Sequence, residues 1–141
     1  MTDYHRILKE YVKNHAIGAM LQEGWAFKPA KSYGWQGAAR GAGFHVDQPL
    51  RTHILNGLFV LTRILEFLQK QRYYTLNEVN FRRTLVLHTL HDAYKDRALA
   101  CTRQGKSDFD IPLTELEALY KRMRLDDFID LTPADLRAAS V

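Results

Sequence analysis

Between Leu50 and Gln71 the apolar residues Ile54, Leu55, Leu58, Phe59, Leu61, Leu65 and Leu68 recur three and four positions apart, while Arg63, Glu66, Gln69 and Lys70 fall outside that set. The period is that of a helix and not of a strand. A face this broad needs other elements to cover it, because a lone helix gets most of its stability from packing. Ile7, Leu8, Tyr11, Val12, His15, Ala19 and Met20 predict an amphipathic helix from Asp3 to about Leu21. Thr75 and Glu78 have capping-box spacing and predict a helix running to about Ala100. Gln104-Gly105-Lys106-Ser107 reads as a turn, Thr114 and Glu117 as a second box opening a helix through Met123, and Asp126 to Ile129 as a brief helical turn. With no strand pattern, the expected fold is all-α, four or five helices around the Leu50 and Thr75 pair. A long loop between the first two main helices, Gly24 to Pro49, carries Gly34, Gly37, Gly41 and Gly43.

The 141 residues, 46% hydrophobic and 26% charged, suit one domain over the whole chain, 1–141. No segment approaches the roughly 20 uninterrupted apolar residues of a membrane span, and the acidic start of the chain lacks the features of a secretory signal, so a cytoplasmic location is expected. Thr132-Pro133-Ala134-Asp135 has the residues of a helix start close to the last residue. From this the chain is expected to be the N-terminal part of a longer one. The net charge of +4 has the right sign for a polyanionic partner without specifying one.

Cys101 is the single cysteine, so a metal would be held by imidazole and carboxylate. On the Thr75 helix His88, His91, Asp92 and Lys95 share one side. Buried groups of this kind need partners. His53, early in the Leu50 helix, approaches them if the two helices run antiparallel. His53, His91 and Asp92 together offer two imidazoles and a carboxylate, a donor set suited to manganese, iron, nickel, zinc or magnesium. The simpler alternative is a carboxylate orienting a core imidazole. Lys28, Lys31, Arg40 and Arg51, interleaved with Tyr33, Trp35 and Phe44, have the composition that tracks a phosphate backbone and stacks unpaired bases. The simpler alternative is solvated cations beside core aromatics, a reading that suits the tryptophans better than the cations.

His91-Asp92-Ala93-Tyr94-Lys95 resembles the His-Asp-x-Gly-Lys signature of the HD superfamily of metal-dependent phosphohydrolases. Thr52-His53-Ile54-Leu55-Asn56-Gly57 looks like the upstream helix that carries the family's first histidine. Over Leu50 to Val141 the chain is most similar to the N-terminal HD domain of the large subunit of type I-D CRISPR effector complexes. That resemblance implies an HD-type helical domain and metal ligation by His53, His91 and Asp92, with Asp92 and Lys95 as the catalytic pair, Lys95 offsetting charge on the scissile phosphate. It also implies nuclease activity on single-stranded DNA in antiviral defence, with other CRISPR subunits as partners. His88 and His45 are candidates for outer support or an extra ligand.

Two departures stand out. Tyr94 replaces the usual glycine, and no histidine follows His91. The downstream ligands of two-metal HD nucleases would then lie beyond Val141, or the site holds one metal, or it is degenerate. Asp126, Asp127 and Asp130 are weaker candidates for a final carboxylate. The rival expectations are a degenerate HD module that binds nucleic acid or a partner subunit without catalysis, and an HD phosphohydrolase of small nucleotides.

Overall fold

The computed structural model describes residues 1–28, 48–94, 97 and 111–140. Among them the regular structure is helical, with no strand. Helix α1 (Tyr4–Tyr11) starts where the Asp3 carboxylate accepts the Arg6 amide at 3.1 Å. It buries Tyr4, Ile7, Leu8 and Tyr11, one face at helical spacing. A π-helical turn, Val12–Ala16, then leads into α2 (Ile17–Gln22). Its wider winding shifts the register by one residue, so Ala16 takes the buried place that plain α-periodicity assigns to His15. His15 lies instead beside Tyr11 and Phe128. Gly24, at φ +74°, turns the chain out of the helix, and the Trp25 amide returns to the Met20 carbonyl at 3.0 Å.

Helix α3 (Leu50–Lys70) matches the sequence expectation closely and buries Leu50, Ile54, Leu58, Thr62 and Leu65. Phe59, placed on the core face by its spacing, is half exposed, and with Val60, Ile64 and Phe67 it makes an apolar outer face. Helix α4 (Glu78–His91) is the centre of the fold, packing against α1 and α3 and burying Phe81, Leu85, Val86, Thr89 and Leu90. Its N-cap is Asn77, whose side chain accepts the Asn80 amide at 2.8 Å, so the expected Thr75–Glu78 box does not form. The cause is tertiary. The Leu76 amide donates to the Tyr4 hydroxyl at 2.7 Å, and the Leu76 carbonyl accepts from Thr2 Oγ1 at 2.6 Å. With its carbonyl engaged by the N-terminal segment, Leu76 does not take the Asn80 amide that a helix starting at Thr75 would give it, and that amide goes to the Asn77 side chain.

Helix α4 also ends earlier than its apolar run suggests. The His91 ring Nδ1 donates to the His88 carbonyl, the group a continuing helix would offer to the Asp92 amide, and Asp92 leaves helical geometry at φ −107°, ψ 10°. The Ala93 amide then bonds to the Leu90 carbonyl in a tight turn. Beyond this, α5 (Leu113–Arg122) begins at Pro112 with no side-chain cap, so the Thr114–Glu117 box is also absent. A 3-10 turn at Leu125–Asp127 follows. The last helix, α6 (Pro133–Arg137), forms both halves of a capping box between Thr132 and Asp135. The 3-10 turn Ala138–Ser140 packs back on α4. Among the described residues no helix is long and apolar enough to cross a membrane.

Candidate metal centre

The site lies where the first turn of α3 meets the end of α4. Because the two helices run antiparallel, His53, His91 and Asp92 come together, and both histidines aim Nε2 at the same carboxylate oxygen. His53 Nε2 is 3.1 Å from Asp92 Oδ2, and His91 Nε2 is 3.2 Å from it. Asp92 is the most covered of the three, its side chain 16% exposed.

The hydrogen bonding of His91 fixes its chemistry. A backbone carbonyl can only accept, so Nδ1, bonded to the His88 carbonyl, carries the proton. In the neutral ring Nε2 is then a lone pair facing the Asp92 oxygen. Two acceptors at 3.2 Å repel unless a proton or a cation lies between them. A histidine that gives one N–H to a carbonyl and turns the other nitrogen outward is also the usual arrangement of a metal ligand. The donor set is one that first-row ions accept, while the two contacts have the length of direct imidazole–carboxylate hydrogen bonds. Among the described residues no group of three or more His, Cys, Asp or Glu side chains is arranged to hold a metal ion. The three groups instead meet by direct contact.

His88 lies against this cluster, its ring 4.6 Å from that of His91 and tilted by 39°. Burial, and then the neighbouring His91, push the His88 pKa down to about 4, so the ring is neutral at ordinary pH. Its Nε2–Cε1 edge rests on α3 at Gly57.

Lys28, expected to contact nucleic acid, has its Nζ 2.6 Å from the Ala93 carbonyl and over the Tyr94 ring at 5.6 Å. The amine thus helps hold the turn after Asp92. Tyr94, standing at the glycine position of the resemblance, packs in that turn under Lys28 and Arg97. Arg51 is half-buried in the first turn of α3, its amide bonded to the Trp25 carbonyl at 3.1 Å. Asp126 and Asp130 line a small cavity with residues of α5 and α6, and no site histidine borders it. Lys95, His45, Lys31, Arg40 and most of the glycine-rich stretch lie outside the described residues.

The sequence reading named Gly57 and Lys28 without finding what they do. Gly57 had a visible signal, being a glycine inside a strongly apolar helix, where it costs about 1 kcal/mol relative to alanine and so points to a packing reason. The role of Lys28 had none. A scan of protein-family models, a search of curated proteins and a search of solved structures each match nothing to this chain.

Proposed function

We propose that the chain is a metal-dependent phosphodiesterase of HD type, a nuclease acting on single-stranded DNA in CRISPR interference. The observation that supports it is the meeting of His53 Nε2 and His91 Nε2 on Asp92 Oδ2, with the His91 tautomer set by the His88 carbonyl. A divalent cation held there supplies a water of lowered pKa and a Lewis acid for a phosphoryl oxygen.

The chain's own residues do the rest. Asp92 contributes a carboxylate, His53 and His91 imidazole nitrogens, and the His88 carbonyl keeps the His91 ring from turning. Lys28 anchors the turn that follows, which limits drift of Asp92. Lys95 is proposed to offset charge on the phosphate in the transition state. The choice of single-stranded DNA, and of a cytoplasmic CRISPR assembly as the setting, rests on the resemblance of His91 to Lys95 and of Thr52 to Gly57 to the HD nucleases. The lack of any histidine after His91 favours a second reading, a degenerate HD module that docks nucleic acid or a partner subunit.

Metal analysis by mass spectrometry on the native protein, beside His91→Ala and Asp92→Ala variants, tests the proposal, with manganese- or nickel-supported cleavage of single-stranded DNA on the same samples. Stoichiometric metal that both substitutions remove, along with cleavage, is the expected result. Bound metal without cleavage would favour the docking module. A metal-free protein that leaves DNA intact sinks the nuclease reading, and phosphate release from mononucleotides alone would replace it with a small-nucleotide phosphohydrolase.

A further inference from the structure

Gly57 lies one helical turn after His53 on α3, and the space its missing side chain leaves is filled. A Cβ built on Gly57 would overlap His88 Nε2 and come within 2.7 Å of His88 Cε1. The His88 ring therefore rests directly on the α3 backbone. The same ring lies 4.6 Å from the His91 ring. One planar group thus touches both the helix that carries His53 and the ring of His91, beside the carboxylate that both histidines approach. Helix interiors disfavour glycine, and its retention at position 57 is explained by this contact.

We propose that Gly57 and His88 form a wedge that positions His91: the bare backbone at Gly57 admits the His88 ring, and the ring sets both the spacing between α3 and the end of α4 and the direction of His91 Nε2. In this role His88 is a positioning residue and not a ligand. The proposal rests on His53, His91 and Asp92 being the cation site. It adds that the site's affinity is governed from a residue without a side chain.

Gly57→Ala is the discriminating variant, because the site should respond far more than the fold. Alanine is the better helix former, which offsets part of the packing lost when the His88 ring is displaced, so the melting temperature should change little beside the affinity. The displaced His88 ring frees His91, and manganese affinity, measured by calorimetry with manganese alone, should fall about ten- to a hundred-fold. In the metal-free protein the nitrogen chemical shifts of the His91 ring should lose the signature of a fixed Nδ1–H. His88→Ala should lower affinity similarly, and adding Gly57→Ala to it should cost little more, because both act through one ring. His88→Phe, planar but unable to ligate, should retain most of the affinity. Unchanged affinity and an unchanged His91 ring in Gly57→Ala would overturn the wedge. Loss in His88→Phe equal to that in His88→Ala would make His88 a ligand instead. If the native protein takes up no manganese, the cation reading fails, and the His91 ring shifts in the metal-free variants still decide the wedge.

Discussion

Tyr11 and Thr89 are joined by a 2.6 Å hydrogen bond between two hydroxyls buried in the core. Thr89 also donates to the Leu85 carbonyl at 2.8 Å, so it can give Tyr11 only an acceptor, and the Tyr11 hydroxyl is the donor of the pair. Burial pushes the Tyr11 pKa well above its ordinary 10.0, so the hydroxyl keeps that proton at neutral pH. Tyr11→Phe removes one hydrogen bond and leaves Thr89 bonded to Leu85. The expected loss is about 1 kcal/mol, read as a lower urea midpoint with an unchanged slope. The residue scale also marks where sequence reasoning reaches its limit. His53, His91 and Asp92 were legible because helical spacing and an antiparallel pairing suffice to bring them together. The capture of Lys28 by the Ala93 carbonyl was not, since nothing local in either segment specifies the other.

At the scale of elements, helix ends depart from the sequence expectation more than helix faces do. The apolar period of α3 placed its ends within a residue, and the Thr132–Asp135 box formed as its residues predict. The Thr75 box did not form: the Leu76 carbonyl, which such a helix would offer to the Asn80 amide, accepts instead from Thr2 and Tyr4, some seventy positions away in the chain. Competition between local and distant partners for one carbonyl leaves no trace in the local sequence. The end of α3 offers a direct test. Arg72 adopts a left-handed conformation at φ +59°, and the Tyr73 amide returns to the Leu68 carbonyl at 2.9 Å, a place glycine usually fills. An L side chain there costs about 1–2 kcal/mol, partly offset by the greater freedom glycine gives the unfolded chain. Arg72→Gly should therefore raise stability by up to about 1 kcal/mol in equilibrium unfolding, with the site unaffected.

Across the whole molecule, the two ends of the fold are tied by Glu23 and Arg122, whose guanidinium meets the carboxylate through Nε at 2.9 Å and Nη2 at 2.6 Å. The hydrogen bond from Arg122 holds the Glu23 carboxyl below its ordinary 4.5. Because the folded pKa is the lower one, the unfolded chain binds the proton more readily. The stabilisation is thus full above about pH 4.5 and is lost as pH falls through the folded value. More than half of the Arg122 side chain is exposed, which keeps the gain near 1 kcal/mol. Arg122→Met should be less stable than the native protein by that amount at pH 7 and indistinguishable from it once Glu23 is protonated, as denaturation at a series of pH values would show.

The early stop of α4 has a consequence for charge. The aligned peptide dipoles of a helix leave roughly half a negative charge at its C-terminal end. Asp92 sits at that pole, where a carboxylate is least favoured, and adds a full negative charge to it. The first turn of α3 brings the opposite pole to the same place, and the Lys28 ammonium lies on the Ala93 carbonyl, so the negative potential there is chiefly that of the Asp92 carboxylate. The gain from such a potential scales with the charge that enters it, so a doubly charged ion gains about twice what a sodium or potassium ion does. In the proposed cation site the charge complement begins with Asp92, held at the point where the helix ends, ahead of any choice made by the imidazoles.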